Sequence, residues 1–386
     1  MSKSNKKHPP EKYGFSVSSS LWHDGTALTS CLGCQQCFYQ ESCGGLNVGA
    51  GIYDCLAFCR CEDPARCDNV CPRNAPHQVA RIHEIGGLEL DRVPPAACIA
   101  VRSLPHVVPM FYHSGTRARA PASEVVALSL YEFINKADGS LKFDSRREML
   151  EHFQLADTTR IILSGTDHDP AIERWWRLEN PEQVTQVLAQ LGIELITSPN
   201  YSLFGDVPRL DNLFNMKRIA VVWSEIQRTG MACALHLNAR TERDYDRWTE
   251  FLLQHAEITH VAFEFGTGAG FKNRIGWHVS QLESLAAKVA RPLHLLVRGG
   301  INELPALGAA FARVMLIDTQ IFMKTQHRQR ALVMPSQLNW ESAPTPEGAP
   351  LDELFDFNIR AVEEYVSRIL ASAPVQSRLS EIPKSA

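Results

Sequence analysis

From about residue 95 onward, short apolar runs alternate with longer stretches whose apolar positions recur at helical spacing. The runs are Cys98–Val101, Val125–Leu130, Arg160–Leu163, Ile193–Thr197, Met231–Leu237, Thr259–Phe263, Pro292–Val297 and Arg313–Ile317. Each is too short for a helix, and together they read as strands. Helix patterns lie between most of them, at Pro181–Leu191, Leu210–Arg228, Arg243–His255, Val279–Val289 and Glu303–Ala312. Strand–helix alternation of this kind demands a parallel sheet, because a crossover must return the chain to the same edge. Eight such units predict an α/β fold of the (β/α)8 TIM-barrel type; an open doubly wound sheet is the structural alternative.

The segment Leu104–Ala122 is polar and poorly periodic, so it is expected to form a long connection over the barrel mouth. Glu341–Pro350 is a Pro-rich connector, and Leu351–Leu370 reads as one last amphipathic helix. The expected organisation is an arm at 1–30, a cysteine-rich module at 31–92, the barrel at 93–338, a linker at 339–350 and a C-terminal helix and tail at 351–386.

Composition narrows the class. The 386 residues, 45% of them hydrophobic, accommodate a large barrel and a small accessory module. A net charge of −4 gives no global case for nucleic-acid or membrane binding. No apolar run approaches the length of a transmembrane helix. The first residues, MSKSNKKHPPEKYG, lack the apolar stretch of a secretory signal, so the expected location is the cytoplasm.

Nine of the eleven cysteines fall in one short region: Cys31, Cys34, Cys37, Cys43, Cys55, Cys59, Cys61, Cys67 and Cys71. In a chain without a secretory signal this clustering favours metal ligation over disulfides. Short loops between the cysteines bring thiolates within reach of one ion. The triple C-x2-C-x2-C and the Cys71-Pro72 ending favour iron–sulfur clusters. The gap from Cys43 to Cys55, with His77 and His83 nearby, suits zinc as the alternative. Radical chemistry with S-adenosylmethionine is disfavoured. Cys55-x3-Cys59 is followed by Cys61, one residue too early, and Cys67-x3-Cys71 has no third cysteine after it. A structural role is open as well, since a Gly-rich module of this size buries little apolar surface.

Barrel enzymes carry their chemistry at the C-terminal strand ends. The acids predicted there are Glu132, Asp167, Asp206, Glu264 and Asp318, candidates for base, acid or nucleophile. Asp167, Asp206 and Asp169 also have a plainer reading as helix caps. The ligand-binding candidates are Asn200, Ser202, Asn238, Arg240, Gly266, Gly268, Gly270, Arg298, Gly299 and Gly300. Two Gly-rich turns after neighbouring strands, one carrying Arg298, suit an anionic ligand, although glycines also serve simply to make tight turns. Trp175–Trp176 suits base stacking less well than a place in the core.

The run Ser198-Pro199-Asn200-Tyr201-Ser202-Leu203-Phe204-Gly205-Asp206-Val207-Pro208, continuing through Asn215 and Arg218 to Trp223, resembles an uncharacterised bacterial family, domain of unknown function 4417. The resemblance spans about residues 190–270. That family carries an acid after the first proline where this chain has Asn200, so no acid role carries over there. The layout of barrel plus thiolate site is also similar to tRNA-guanine transglycosylases, which implies an aspartate nucleophile and a zinc site. Their zinc cysteines lie near the C-terminus, whereas these lie near the N-terminus, so the similarity is one of fold level.

The function expected is that of a metal-containing barrel enzyme acting on a nucleotide, a nucleobase or another phosphorylated ligand, with base exchange or glycosidic cleavage as fitting reactions. Its partner is then a phosphorylated small molecule or a nucleic-acid component rather than a membrane. The alternatives are an iron–sulfur redox enzyme, and a non-catalytic scaffold in which metals fix a recognition surface.

Overall fold

The computed structural model describes residues 84–203, 209–270, 274–335 and 337–372. The cysteine module from Cys31 to Cys71, and Asp206, lie outside these residues. The chain divides into two compact units. The described parts of the first are residues 84–92, 202–203, 209–218 and 239–247. The second holds the strands.

Eight of these strands are parallel: β1 (Val107–Pro109), β2 (Val125–Ser129), β3 (Arg160–Ser164), β4 (Ile193–Thr197), β5 (Cys233–His236), β6 (His260–Glu264), β7 (His294–Arg298) and β8 (Arg313–Asp318). They pair in the order β1-β8-β7-β6-β5-β4-β3-β2. The two edges, β1 and β2, meet through one parallel bridge between Met110 and Ala127, so the barrel is nearly closed. Val108, Ala127, Ile162, Leu195, Ala234, Ala262, Leu296 and Met315 fill its interior, one from each strand. Packing from every strand is what makes a barrel interior a core rather than a pore.

The helices follow the expected alternation: α1 (Arg146–Phe153), α2 (Asp169–Trp176), α3 (Pro181–Gln190), α4 (Arg209–Arg228), α5 (Glu242–Gln254), α6 (Ile275–Val289), α7 (Leu304–Ala310), α8 (Gln320–Gln326) and α9 (Asp352–Ala371). Two starts have clear local causes. The Ser145 side chain accepts from Glu148 N–H at α1, and Asn180 accepts from Gln183 N–H just before Pro181 at α3. Trp175 is buried in the core. Beyond the barrel, β9 (Gln329–Val333) and β10 (Leu338–Ser342) form an antiparallel hairpin, where the sequence reading had placed the barrel's end and a linker.

One strand is corrected. Cys98–Val101 is not in the sheet; the first strand is Val107–Pro109, inside the stretch read as a connection. The reason is where the backbone carbonyls go. Ser224 Oγ donates to Pro94 O at 2.7 Å, Gln227 Nε2 to Ala97 O at 3.1 Å and Arg313 Nε to Leu104 O at 2.7 Å. Arg160 donates to the carbonyls of Arg102 and Ser103 at 3.2 and 3.0 Å. Side chains thus satisfy this segment without a ladder, and Ile99 and Val101 pack against the barrel core.

No helix separates β1 from β2. The loop after β1 is tied instead to the start of α9. Asp352 accepts from the N–H groups of Ala118 and Arg119, and Asp356 accepts from Ala122 N–H at 2.8 Å. Phe355 meets Phe111 edge-on at 6.2 Å. The last helix therefore anchors the loop that carries Tyr112.

Candidate functional site

The polar cluster at the C-terminal strand ends is built from the strands outward. Parallel register sets neighbours side by side: Ser129 opposite Ser164, and Glu264 opposite Arg298. At the end of β2, Ser129 Oγ donates to Asp167 Oδ2 at 3.0 Å. Asp167 follows β3, and its other oxygen accepts from His168 N–H at 2.8 Å and faces His168 Nδ1. At the ends of β6 and β7, Arg298 Nε lies 2.5 Å from Glu264 Oε2. Arg298 Nη1 also donates to Thr166 O at 3.2 Å, which ties β7 to the loop that bears Asp167.

Glu264 is almost fully buried. Burial pushes its carboxyl up, against the opposing pull of Arg298 and of the Gly266 N–H that donates to Oε1 at 2.5 Å. Arg298 and Asp167 keep about a fifth of their side-chain surface open, 19% and 20%, so both can meet a ligand. Tyr112, after β1, completes the mouth. Burial raises its phenol; Arg298 pulls it down while Asp167 and Glu264 push it up.

Below this layer lies His236, the last residue of β5, which the sequence reading passed over. It is buried, and burial lowers it to about 4, so it is neutral at pH 7. Its Nδ1 lies 2.5 Å from Ser198 O, and a carbonyl can only accept, so Nδ1 carries the proton. Its Nε2 then accepts from Thr166 Oγ1 at 3.2 Å. The available sequence signal was a histidine at the polar end of an apolar run.

The remaining candidates are spread more widely. Glu132 pairs with Lys142 at 3.2 Å on a short 3-10 turn after β2. Asp318 is buried and accepts from Ile321 N–H at 2.7 Å, a cap for α8; burial raises it to about 6. Asn200 is buried, with Oδ1 lacking a hydrogen-bond partner among the described residues. Asn238 donates to Tyr201 O at 3.0 Å. Ser202 and Arg240 belong to the first unit, where Arg240 Nε donates to Leu203 O at 2.8 Å. Gly266 has its N–H engaged by Glu264, and Gly268 and Gly270 bound a short 3-10 turn. Gly299 and Gly300 both have positive φ, 77° and 69°, and a Cβ on Gly300 would press into the Phe265 ring. These glycines let two turns pack closely, which is the plainer of their two readings.

No family model matches the chain, and no curated protein does. Among solved structures, a protein from Burkholderia cenocepacia J2315 with the provisional description of a lyase/mutase aligns at 15% identity and a TM-score of 0.30, over 62% of this chain and 81% of its own. A likeness at that level carries no functional argument. Among the described residues no helix is long and apolar enough to cross a membrane, and no group of His, Cys, Asp and Glu is arranged to hold a metal ion.

Proposed function

We propose that the chain is an enzyme whose site is the C-terminal mouth of the barrel. The substrate is a nucleotide, a nucleobase or another phosphorylated ligand, and base exchange or glycosidic cleavage are the reactions that suit the groups present. One observation carries this reading: at the ends of β6 and β7 Arg298 pairs with Glu264, and its Nη1 also holds the Thr166 carbonyl, next in the chain to Asp167 after β3. Arg298 has donors left beyond its contacts with Glu264 and Thr166, and a guanidinium suits a phosphate oxygen. Asp167, steadied by Ser129, is placed to attack or stabilise an electron-poor carbon. Glu264, paired with Arg298 through Oε2, orients the guanidinium towards the ligand.

Binding of nucleoside 5′-monophosphates, free nucleobases and inorganic phosphate, followed by calorimetry, tests the ligand class. Arg298→Lys keeps a charge beside Glu264 but loses the fork. It is expected to weaken the monophosphate at least about tenfold, the worth of one charge-assisted hydrogen bond. Unchanged affinity removes the phosphate role from Arg298.

The same proposal includes metal at the cysteine module, iron–sulfur before zinc. Anaerobic purification with iron, sulfide and zinc analysis on one sample is the check. Several irons and sulfides per chain with a broad visible band support clusters. A colourless protein holding zinc overturns the iron–sulfur assignment and makes the module structural.

A further inference from the structure

We infer that His236, as the neutral Nδ1–H tautomer, is a positioning residue for this mouth, acting through Thr166 on both Arg298 and Asp167. The inference rests on the reading of the mouth as the site, and deepens it.

The need for such a residue comes from Gly165. A Cβ there would overlap the carbonyl oxygens of Thr197 and Ser198, so only glycine fits. Its amide donates to Thr197 Oγ1 at 2.8 Å, and its carbonyl accepts from Asn200 N–H and from the Tyr131 hydroxyl, both at 2.9 Å. Gly165 is thus well tied, but glycine gives the chain on its far side more freedom than any other residue would. The next two residues carry the site. Thr166 O receives Arg298 Nη1, and Asp167 receives Ser129. Besides Arg298 on its carbonyl and a long 3.4 Å contact from its N–H to Ser164 Oγ, Thr166 is held by its own side chain on His236.

His236 is a rigid anchor for that contact. Ser198 grips it twice: Ser198 Oγ accepts from His236 N–H at 3.0 Å, and Ser198 O accepts from Nδ1–H at 2.5 Å. The second contact fixes the tautomer, so Nε2 presents a lone pair to the Thr166 hydroxyl. A protonated imidazole would present N–H there instead, turn the hydroxyl over and place a positive charge beneath Arg298. Burial keeps the ring neutral, and the Arg298 charge acts in the same direction.

The test uses the full chain and three variants. Thr166→Val keeps the shape and the backbone carbonyl but removes the hydroxyl. His236→Gln sets an acceptor near the place of Nε2, and His236→Leu does not. The first readout is nitrogen-15 NMR without ligand. Wild type is expected to show His236 with one N–H, at Nδ1, unchanged from pH 7.5 to pH 5.5, and a slowly exchanging Arg298 Nε–H. In Thr166→Val and His236→Leu that Arg298 signal is expected to shift and to exchange faster, while circular dichroism stays that of wild type; His236→Gln restores it. The second readout is the affinity for inorganic phosphate, expected to fall about tenfold in Thr166→Val, one hydrogen bond's worth. Should His236→Leu fail to fold, Thr166→Val decides.

An Arg298 signal in Thr166→Val identical to wild type overturns the inference, as does a His236 protonated at Nε2. If phosphate binds no form of the protein, the anion reading of the mouth fails, and the ligand-free Arg298 signal still decides the role of His236.

Discussion

Replacing Arg298 by leucine is expected to destabilise the protein by about 3–5 kcal/mol at pH 7, the usual cost of removing one partner from a buried ion pair. The cause is what stays behind. Glu264 is 5% exposed, and its surviving contact is the Gly266 N–H on Oε1. A buried carboxylate without its cation escapes by taking a proton, so the penalty has a pH dependence. The carboxyl of folded Glu264 already lies above its ordinary range, and loss of Arg298 raises it further. A raised carboxyl favours the folded state when protonated, so the penalty is full at high pH and shrinks as pH falls through the folded value. Arg298→Leu combined with Glu264→Leu removes both charges and is expected to recover most of the loss, whereas unrelated substitutions would add. Urea unfolding of the single and double variants at pH 8, 7 and 5.5 measures this. A single variant within about 1 kcal/mol of wild type at pH 7, the worth of a solvent-exposed pair, would show that the pair is not desolvated in solution.

Acid provides the second large effect. His236 and His260 are both buried, and burial lowers each to about 4. His260 stacks on His294, centroids 4.7 Å apart and planes within 14°, at the opposite end of the strands from the mouth. A histidine lowered on folding leaves the unfolded chain to bind the proton first. Stability is therefore complete above about pH 6.5 and falls until about pH 4, by about 3 kcal/mol for each ring. Asp318 acts in the opposite sense. Burial raises it to about 6, so the folded state takes its proton first and gains about 3 kcal/mol as pH falls from 6 towards 4. These three groups together predict a net loss of about 3 kcal/mol across that interval. Asp318→Asn keeps an oxygen for the Ile321 N–H but removes the titration. It is expected to steepen the acid loss by about 3 kcal/mol. If the stability difference between this variant and wild type is the same at pH 7 and pH 4, the raised value assigned to Asp318 is wrong.

Much of the frame was legible along the chain. Apolar runs bounded by turn residues located β2 to β8 within a residue or two, because strands buried on both faces must be apolar throughout and too short for helices. Ile193–Thr197 was placed at its observed bounds, and the helices from Pro181, Arg209, Glu242 and Asp352 also followed the pattern. Cys98–Val101 failed for a reason that local pattern cannot contain. It is apolar because it packs under the barrel core, and its neighbours' carbonyls are met by side chains from Ser224, Gln227, Arg160 and Arg313, far away in sequence.

The site divides the same way. Residue type and position after a strand were enough to nominate Asp167, Glu264 and Arg298, since parallel strands deliver their C-terminal ends to one face. Their pairing was not readable. Glu264 meets Arg298 because β6 and β7 are in register, and register depends on how whole strands pack. Glu132 and Asp318 had the same standing in sequence, yet one turns to Lys142 and the other caps a helix. His236 was invisible because a histidine closing an apolar run has no distinguishing neighbour in the chain; its partners Thr166 and Ser198 lie 70 and 38 residues away. The sequence by itself determined where β2 to β8 lie along the chain, the face on which polar groups gather and the clustering of its cysteines. Tertiary structure alone decided which of those polar groups are buried against one another, because burial and pairing are set by contacts between distant segments.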